Sequence, residues 1–400
     1  MVVRSRLSPE RASLSTGIWR GVRAGVAWGA ELPAAPTRAS GAATRARGVA
    51  AKSLQRRPRP EAELLMAVRK AVARRITSFR RQLGANYRGV GLGFRVRGRG
   101  QARRREAELV VRVFVAKKVR RPDRRTHGRT IPPGFWVAVR DGRSVTRRWI
   151  RTDVEAARKG RPQAADAELD VYRSSSTNSP KRGSACCFVR VKGESDLHVL
   201  SCKHMLGHPV DEFAQAGTPF RIDLGRRQES VSTATRCSEW DPSRANVSRD
   251  VGVGALVDAE RSRSPLRGLG VTDVVFDLDE FIVMSFGDQL ELVSRNGTKQ
   301  VQVVDVELDR ELEGFKTAAG SVMLRFSNVV SYEGMTAADD PIEGDSGAAI
   351  LKSDGATGRV LVGMHFWGDN ASIGAAQFIG DVLDEGSVGA QLTFDPSDQD

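Results

Sequence analysis

Glu343-Gly344-Asp345-Ser346-Gly347 is the stretch on which the reading of this 400-residue chain turns. A serine acts as a nucleophile where a tight turn presents its hydroxyl and backbone N–H groups point at the oxyanion that its attack creates. Glycines at 344 and 347 permit such a turn, and the N–H groups of Gly344 and Ser346 are placed to form the oxyanion hole. The same residues also suit an ordinary Asp-Ser-Gly turn between strands, so the segments that accompany them decide between the two.

A nucleophilic serine needs a base, and the base needs an orienting carboxylate. Val199-Leu200-Ser201-Cys202-Lys203-His204-Met205-Leu206 puts His204 at the end of a predicted strand. Ser248-Arg249-Asp250-Val251-Gly252-Val253-Gly254 puts Asp250 at the start of another. The chain order His, Asp, Ser is one in which this chemistry recurs. Asp223, Asp258 and Asp273 are alternative carboxylates, since triad roles follow from geometry. His198, His208 and His365 lack partners in order and read as structural. Cys202, His204, His208 and Cys237 include zinc-ligand types, but their spacing matches no paired metal motif. No metal or organic cofactor is expected.

Around these residues the chain reads as β. Short apolar segments recur at Ala185–Val191, His198–Ser201, Val251–Val257, Phe281–Met284, Gln300–Val306, Ser321–Phe326, Ala348–Leu351 and Arg359–Met364, separated by turn residues. Many short strands with little helical periodicity predict an all-β barrel or sandwich. Ala376–Glu385 is the one segment of this part predicted to be helical.

Taken together, the His204 segment, Asp250 leading a strand, Gly344–Gly347, and Gly363-Met364-His365-Phe366-Trp367-Gly368 resemble the trypsin/chymotrypsin-like serine peptidases. The resemblance covers roughly residues 180–390. It implies two antiparallel β-barrels with a C-terminal helix and an active site in the cleft between them. It also implies a catalytic set of His204, Asp250 and Ser346, and an oxyanion hole at Gly344 and Ser346. Asp340, Phe366, Trp367 and Gly368 would then bind substrate. Asp340, six residues before the nucleophile, would sit at the base of the primary pocket and favour Arg or Lys, with Gly368 keeping the mouth open. The departures are Cys202 before His204, and Phe366 where a small hydroxyl residue often supports the triad carboxylate. No apolar new N-terminus follows an evident activation site, so Asp345 is expected to lack an ammonium partner. The bacterial intracellular branch of the family fits that pattern better. Tyr87–Gly93, Val110–Lys118, Ile131-Pro132 and Thr152-Asp153-Val154 resemble a small module that precedes the peptidase domain in some bacterial members.

Charge splits the chain. Residues 1–160 hold 40 Lys and Arg against 10 Asp and Glu; the remainder holds 23 against 38. The predicted organisation is a basic low-complexity tail over 1–59, a basic α+β module over 60–160, a linker over 161–180, the peptidase-like domain over 181–390 and an acidic tail over 391–400. Within the module, Leu65, Val68, Val72, Ile76 and Phe79 give one apolar stripe and predict a helix over Glu61–Leu83. Strands are predicted at Arg88–Val96, Glu108–Val115 and Phe135–Val139. Gly89, Gly91 and Gly93 do not form a nucleotide-binding fingerprint, because no helix follows them.

The first function class is a serine endopeptidase acting on polypeptides. The second is a catalytically inactive protein of the same fold that binds an anionic partner, nucleic acid or a membrane surface, through its basic half. A third use of the charge is docking of the basic module on the acidic domain. No apolar run is long enough to span a membrane. Four cysteines are too few for a disulfide scaffold; a Cys186 or Cys187 bridge to Cys202 is a possibility that spacing leaves open. With no secretory signal evident, a cytoplasmic setting is expected, and an organellar transit peptide remains an alternative for the Arg-rich, Ser-rich start.

Overall fold

A computed structural model describes residues 61–97, 104–118, 131–160, 171–173, 182–206, 219–223, 229–255, 269–317, 320–353, 358–369 and 371–399. The tail predicted over 1–59 and His208 and Asp258 lie outside the described residues. The elements begin with α1 (Ala62–Ala73), α2 (Ile76–Leu83), β1 (Tyr87–Arg97), β2 (Arg104–Val115), β3 (Gly134–Asp141) and β4 (Ser144–Ala156). There follow β5 (Val171–Arg173), β6 (Arg182–Gly183), β7 (Cys187–Val191), β8 (Leu197–Ser201), α3 (Lys203–Leu206), β9 (Pro219–Asp223), β10 (Glu229–Cys237) and β11 (Gly252–Ala255). Next come β12 (Val271–Val274), α4 (Leu278–Ser285), β13 (Gln289–Ser294), β14 (Gly297–Thr317), β15 (Gly320–Phe326) and β16 (Val329–Gly334). The chain closes with β17 (Ala349–Ser353), β18 (Arg359–Gly368), β19 (Ile373–Phe378), α5 (Ile379–Leu383), α6 (Glu385–Val388) and β20 (Leu392–Thr393).

The fold is mostly β, as expected. Strands run in the order β13-β17-β18-β19-β16-β14, and β14 pairs back on β13, which closes a six-stranded barrel. A second sheet runs β20-β7-β8-β11-β10-β9-β5-β6. Laid flat, β6 and β7 would lie about 29 Å apart, six strand spacings. Only the chain between Gly183 and Cys187 joins them, a reach of about 14 Å. The second sheet therefore curls back on itself. Short helices α5 and α6 follow β19, and β20 then returns to pair with β7.

β14 organises the barrel. Its 21 residues carry β13 and then β1 along one edge, and β16 and then β15 along the other. Because β1 pairs with β14, the sheet of the N-terminal module is continuous with the barrel. The core follows suit: Leu65, Val68 and Val72 of α1 join one apolar cluster with Phe281, Leu290, Val301 and Tyr332. Asp305 and Glu307 share one face of β14; the register shift between Glu307 and Asp309 resets the alternation, so that Asp309 and Glu311 meet a different set of partners. Arginines meet all four. Arg112 bridges to Asp305 at 2.7 Å, Arg80 and Arg325 to Asp309 at 2.9 and 2.7 Å, and Arg310 to Glu307 at 3.2 Å. Arg88 and Arg244 reach Glu311 at 3.5 and 3.0 Å. Self-docking of the basic segment on the acidic one is thus part of the fold. The glycines of β1 serve this contact. A Cβ at Gly93 would come 1.9 Å from Asp305 Oδ1 and 2.2 Å from Arg112 Cδ.

Four sequence expectations change. The predicted helix over Glu61–Leu83 is two helices, broken at Arg74 and Arg75. Phe281–Met284, predicted as strand, lies in α4. The Asp277 side chain caps that helix by accepting from the N–H groups of Asp279 and Glu280, and Leu278, Phe281, Ile282 and Ser285 form its buried stripe, a period of helix rather than strand. Ala376–Phe378, predicted to be helical, belongs to β19. Ladder bonds to β16 and β18 override alanine's helical preference there. Val171–Arg173, inside the predicted linker, is a strand of the second sheet.

Candidate active site

β8 and β11 are antiparallel neighbours, with Ser201 opposite Gly252. The residues just after β8 and just before β11 therefore meet at one end of the pair. His204, in α3, and Asp250 meet there. The His204 backbone N–H donates to Asp250 Oδ1 at 3.0 Å, and His204 Nδ1 hydrogen-bonds Asp250 Oδ2. One carboxylate thus holds both the backbone and the ring of the histidine. Asp250 is itself clamped: its N–H donates to Gln377 Oε1 at 2.8 Å, and Gln377 Nε2 donates to its carbonyl at 2.9 Å. Trp240 Nε1 and Ser238 Oγ both donate to the Arg249 carbonyl next door. Gln377 holds the backbone of Asp250, not its carboxylate, and nothing in its local sequence announces it.

The Ser346 loop precedes β17. Gly344 and Gly347 have φ of +96° and +90°, a region that favours glycine. At Gly347 the space is closed as well, since a Cβ would lie 1.9 Å from the Ser184 carbonyl oxygen. Ser184 clamps the loop: its N–H donates to the Ser346 carbonyl at 2.7 Å, and its hydroxyl to the Gly344 carbonyl at 3.0 Å. The Gly347 N–H donates to the His365 carbonyl at 2.8 Å, and Cys202 Sγ donates to that same oxygen at 3.2 Å. The serine loop and the histidine segment are joined through this shared acceptor. Among the described residues, the N–H groups of Gly344 and Ser346 find no acceptor, and Ser346 Oγ makes no hydrogen bond. His204, Asp250 and Ser346 are each 0% exposed.

Asp345 corrects an expectation. Its carboxylate does have an ammonium partner, Lys299 Nζ, at 2.7 Å. Ser294 Oγ, Asn296 Nδ2 and the Ile342 N–H also donate to it. Burial alone would push this carboxyl up. His365, the Ile342 N–H and Lys299 outweigh burial and hold it below the usual carboxylate range. Lys299 also donates to the Asp340 carbonyl at 3.2 Å, so one buried cation ties the Ser346 loop to the segment preceding it. His365, read as structural, packs as such: it is fully buried, with Nδ1 bonded to the Tyr332 hydroxyl. Desolvation lowers its pKa to about 4.

The residues expected to bind substrate divide. Phe366 packs on Phe326 and Phe315 in the core, with ring centroids 4.9 and 6.5 Å away. Trp367 is buried, and its indole donates to the Glu313 carbonyl at 3.0 Å. Phe366 therefore faces the core, and Trp367 lines a small internal cavity with Arg112, Phe114 and Arg158. Gly368 is not an open mouth: a Cβ at Gly160 would lie 2.3 Å from its carbonyl oxygen, and Arg158 bridges to Asp369 alongside. Asp340 is half-buried. Cys202, His204 and Asp250 offer ligand atoms within 4.8 Å of one another. Their histidine–carboxylate hydrogen bond and the Cys202 bond to His365 already engage those groups. All four cysteines are free thiols.

No family model matches the chain, and no curated protein matches it significantly. Solved structures with some likeness include an inactive variant of the murine norovirus NS6 protease carrying a C-terminal extension. It is 12% identical, with a TM-score of 0.25, over 45% of this chain and 86% of that chain. The NS6 protease from murine norovirus 1 is 14% identical with a TM-score of 0.23, over 45% of this chain and 80% of that one. At this distance neither bears on what this protein does.

Proposed function

We propose that the protein is a serine endopeptidase in which Ser346, His204 and Asp250 hydrolyse peptide bonds through an acyl-enzyme. The observation that carries this reading is the double hold of the buried Asp250 carboxylate on His204, through the backbone N–H at 3.0 Å and through Nδ1. A carboxylate on Nδ1 fixes the proton there and leaves Nε2 as the basic nitrogen. His204 Nε2 takes the Ser346 proton as the hydroxyl oxygen bonds to the scissile carbonyl carbon. The imidazolium so formed is stabilised by Asp250. The tetrahedral oxyanion accepts hydrogen bonds from the N–H groups of Gly344 and Ser346. Collapse breaks the C–N bond, and the proton passes from His204 to the leaving amine. Water, deprotonated by His204, then releases the acyl group and restores Ser346. Lys299 supplies the cation that Asp345 needs, so the loop holds its shape without a freed N-terminus. Substrate binding along Gly368 requires the 157–160 segment to move aside.

The test is labelling of the purified full chain with a fluorophosphonate, beside Ser346→Ala. Label on the wild type alone supports the proposal; equal absence from both overturns it.

A further inference from the structure

The basic residues of the N-terminal segment fall into two sets. One set is spent on the barrel: Arg69, Arg80, Arg88, Arg112 and Arg158 pair with Asp279, Asp309, Glu311, Asp305 and Asp369. The other set surrounds the β3–β4 hairpin. Among the described residues, Lys70, Arg74, Arg140, Arg143 and Arg147 have no acid within ion-pair distance, whereas Arg148 and Arg151 reach Glu61 and Glu108.

β3 is the edge strand of its sheet. Between it and α1 runs a groove of about 600 Å³, lined by Lys70, Arg74, Arg75, Trp136 and Arg140, with Glu63 its acid. Trp136 is 59% exposed and Trp149 45%. They stand opposite each other in the β3–β4 register, edge to face, with centroids 5.4 Å apart. Alternation along the hairpin puts Arg140, Arg147 and Arg151 on that same face. Two large rings left in water beside uncompensated cations call for a partner that offers both negative charge and flat faces. An anionic bilayer would prefer rings at a convex tip, but Trp136 lines a concave wall. A single nucleic-acid strand has phosphates for the cations and unpaired bases for the rings.

We propose that the groove between α1 and β3, with the Trp136–Trp149 pair at its rim, binds single-stranded nucleic acid. Phosphates lie against Lys70, Arg74, Arg140 and Arg147, and bases stack on the tryptophans. This site is separate from the peptidase site and does not depend on it.

The full chain is titrated with a fluorescent oligo-dT of about 20 nucleotides over a range of salt, with heparin and phosphatidylserine vesicles as parallel arms. The expected slope of log affinity against log salt is about −3 or steeper. Trp136→Ala with Trp149→Ala should weaken oligonucleotide binding about tenfold or more and abolish most of the fluorescence quenching, while heparin binding and the thermal midpoint stay the same. Arg140→Glu with Arg147→Glu should weaken both polyanions and flatten the slope. Unchanged oligonucleotide affinity in the tryptophan variant overturns the site, because charge elsewhere then explains the binding. No binding at low salt overturns it, and so does vesicle binding without oligonucleotide binding.

Discussion

The Ser346 loop and the acidic run of β14 are both buried, both built on carboxylates and both tied to cations from other segments. They differ in what their hydrogen-bonding groups do. On β14, Asp305 and Asp309 are consumed: Arg112, Arg80, Arg325 and the Tyr87 hydroxyl all point at them. In the Ser346 loop the scaffold is equally well bonded, through Ser184, Lys299 and His365. The groups at its centre, however, are held in reserve: Ser346 Oγ and the N–H groups of Gly344 and Ser346. Buried charge by itself therefore does not mark a site. Under the proposed function the uncommitted groups of the Ser346 loop are the ones that matter, because groups that must pair with a transition state cannot already be paired.

The sharpest break of this contrast is chemical. Ser346→Ala or His204→Ala should cut peptide hydrolysis by about 10³-fold or more, with the double variant hardly worse than either single, since triad members act as a unit. Ser346→Ala should leave the thermal midpoint nearly unchanged, whereas His204→Ala should lower it, because the buried Asp250 carboxylate loses its ring partner. Near-normal turnover by folded His204→Ala would mean another group is the base.

Asp305→Ala should show the opposite pattern. It strips a partner from Arg112, which is 1% exposed, and leaving a buried charge short of a partner costs about 3–5 kcal/mol. Urea titration should show that loss, and combining it with Arg112→Met should recover much of it.

His365 gives a pH-dependent version of the contrast. Its ordinary pKa of 6.5 falls to about 4 in the fold. Above pH ~6.5 it is neutral folded or unfolded, and its burial carries no protonation penalty. As pH falls from there to about 4, the unfolded chain takes up a proton that the folded chain refuses. Stability should drop over that window by about 3 kcal/mol and then level off. Chemical denaturation of wild type and His365→Gln across this range measures it; parallel curves would remove His365 as the cause.

The smallest effect concerns specificity. If Asp340 faces the substrate side chain, Asp340→Ser should reduce any preference for Arg or Lys by about tenfold, on a peptide panel varied before the scissile bond. Lys299 beside the Asp340 carbonyl already supplies positive charge there. Equal cleavage after Arg and Leu by the wild type would end the idea.

Residue type and order alone were enough to single out His204 and Asp250, which the fold brings into contact, and the two glycines whose φ the Ser346 turn requires. Alternating short apolar runs were enough for a β fold. Local pattern also held the signal for α4, in the cap at Asp277 and the stripe at Leu278, Phe281 and Ile282, although the short apolar run reads equally well as strand. Other features have no local signature. Lys299 finds Asp345, Gln377 clamps Asp250, and Ser184 grips the Ser346 loop across separations of 46, 127 and 160 residues. Ladder bonds made Ala376–Phe378 a strand, and β1 became part of the barrel's sheet because Gly89 and Gly91 leave room for the β14 backbone and Gly93 for the Asp305 carboxylate. Local sequence fixes which groups are present and what each segment prefers. Which distant donor meets which acceptor depends on how the sheets close, and only the tertiary structure decides that.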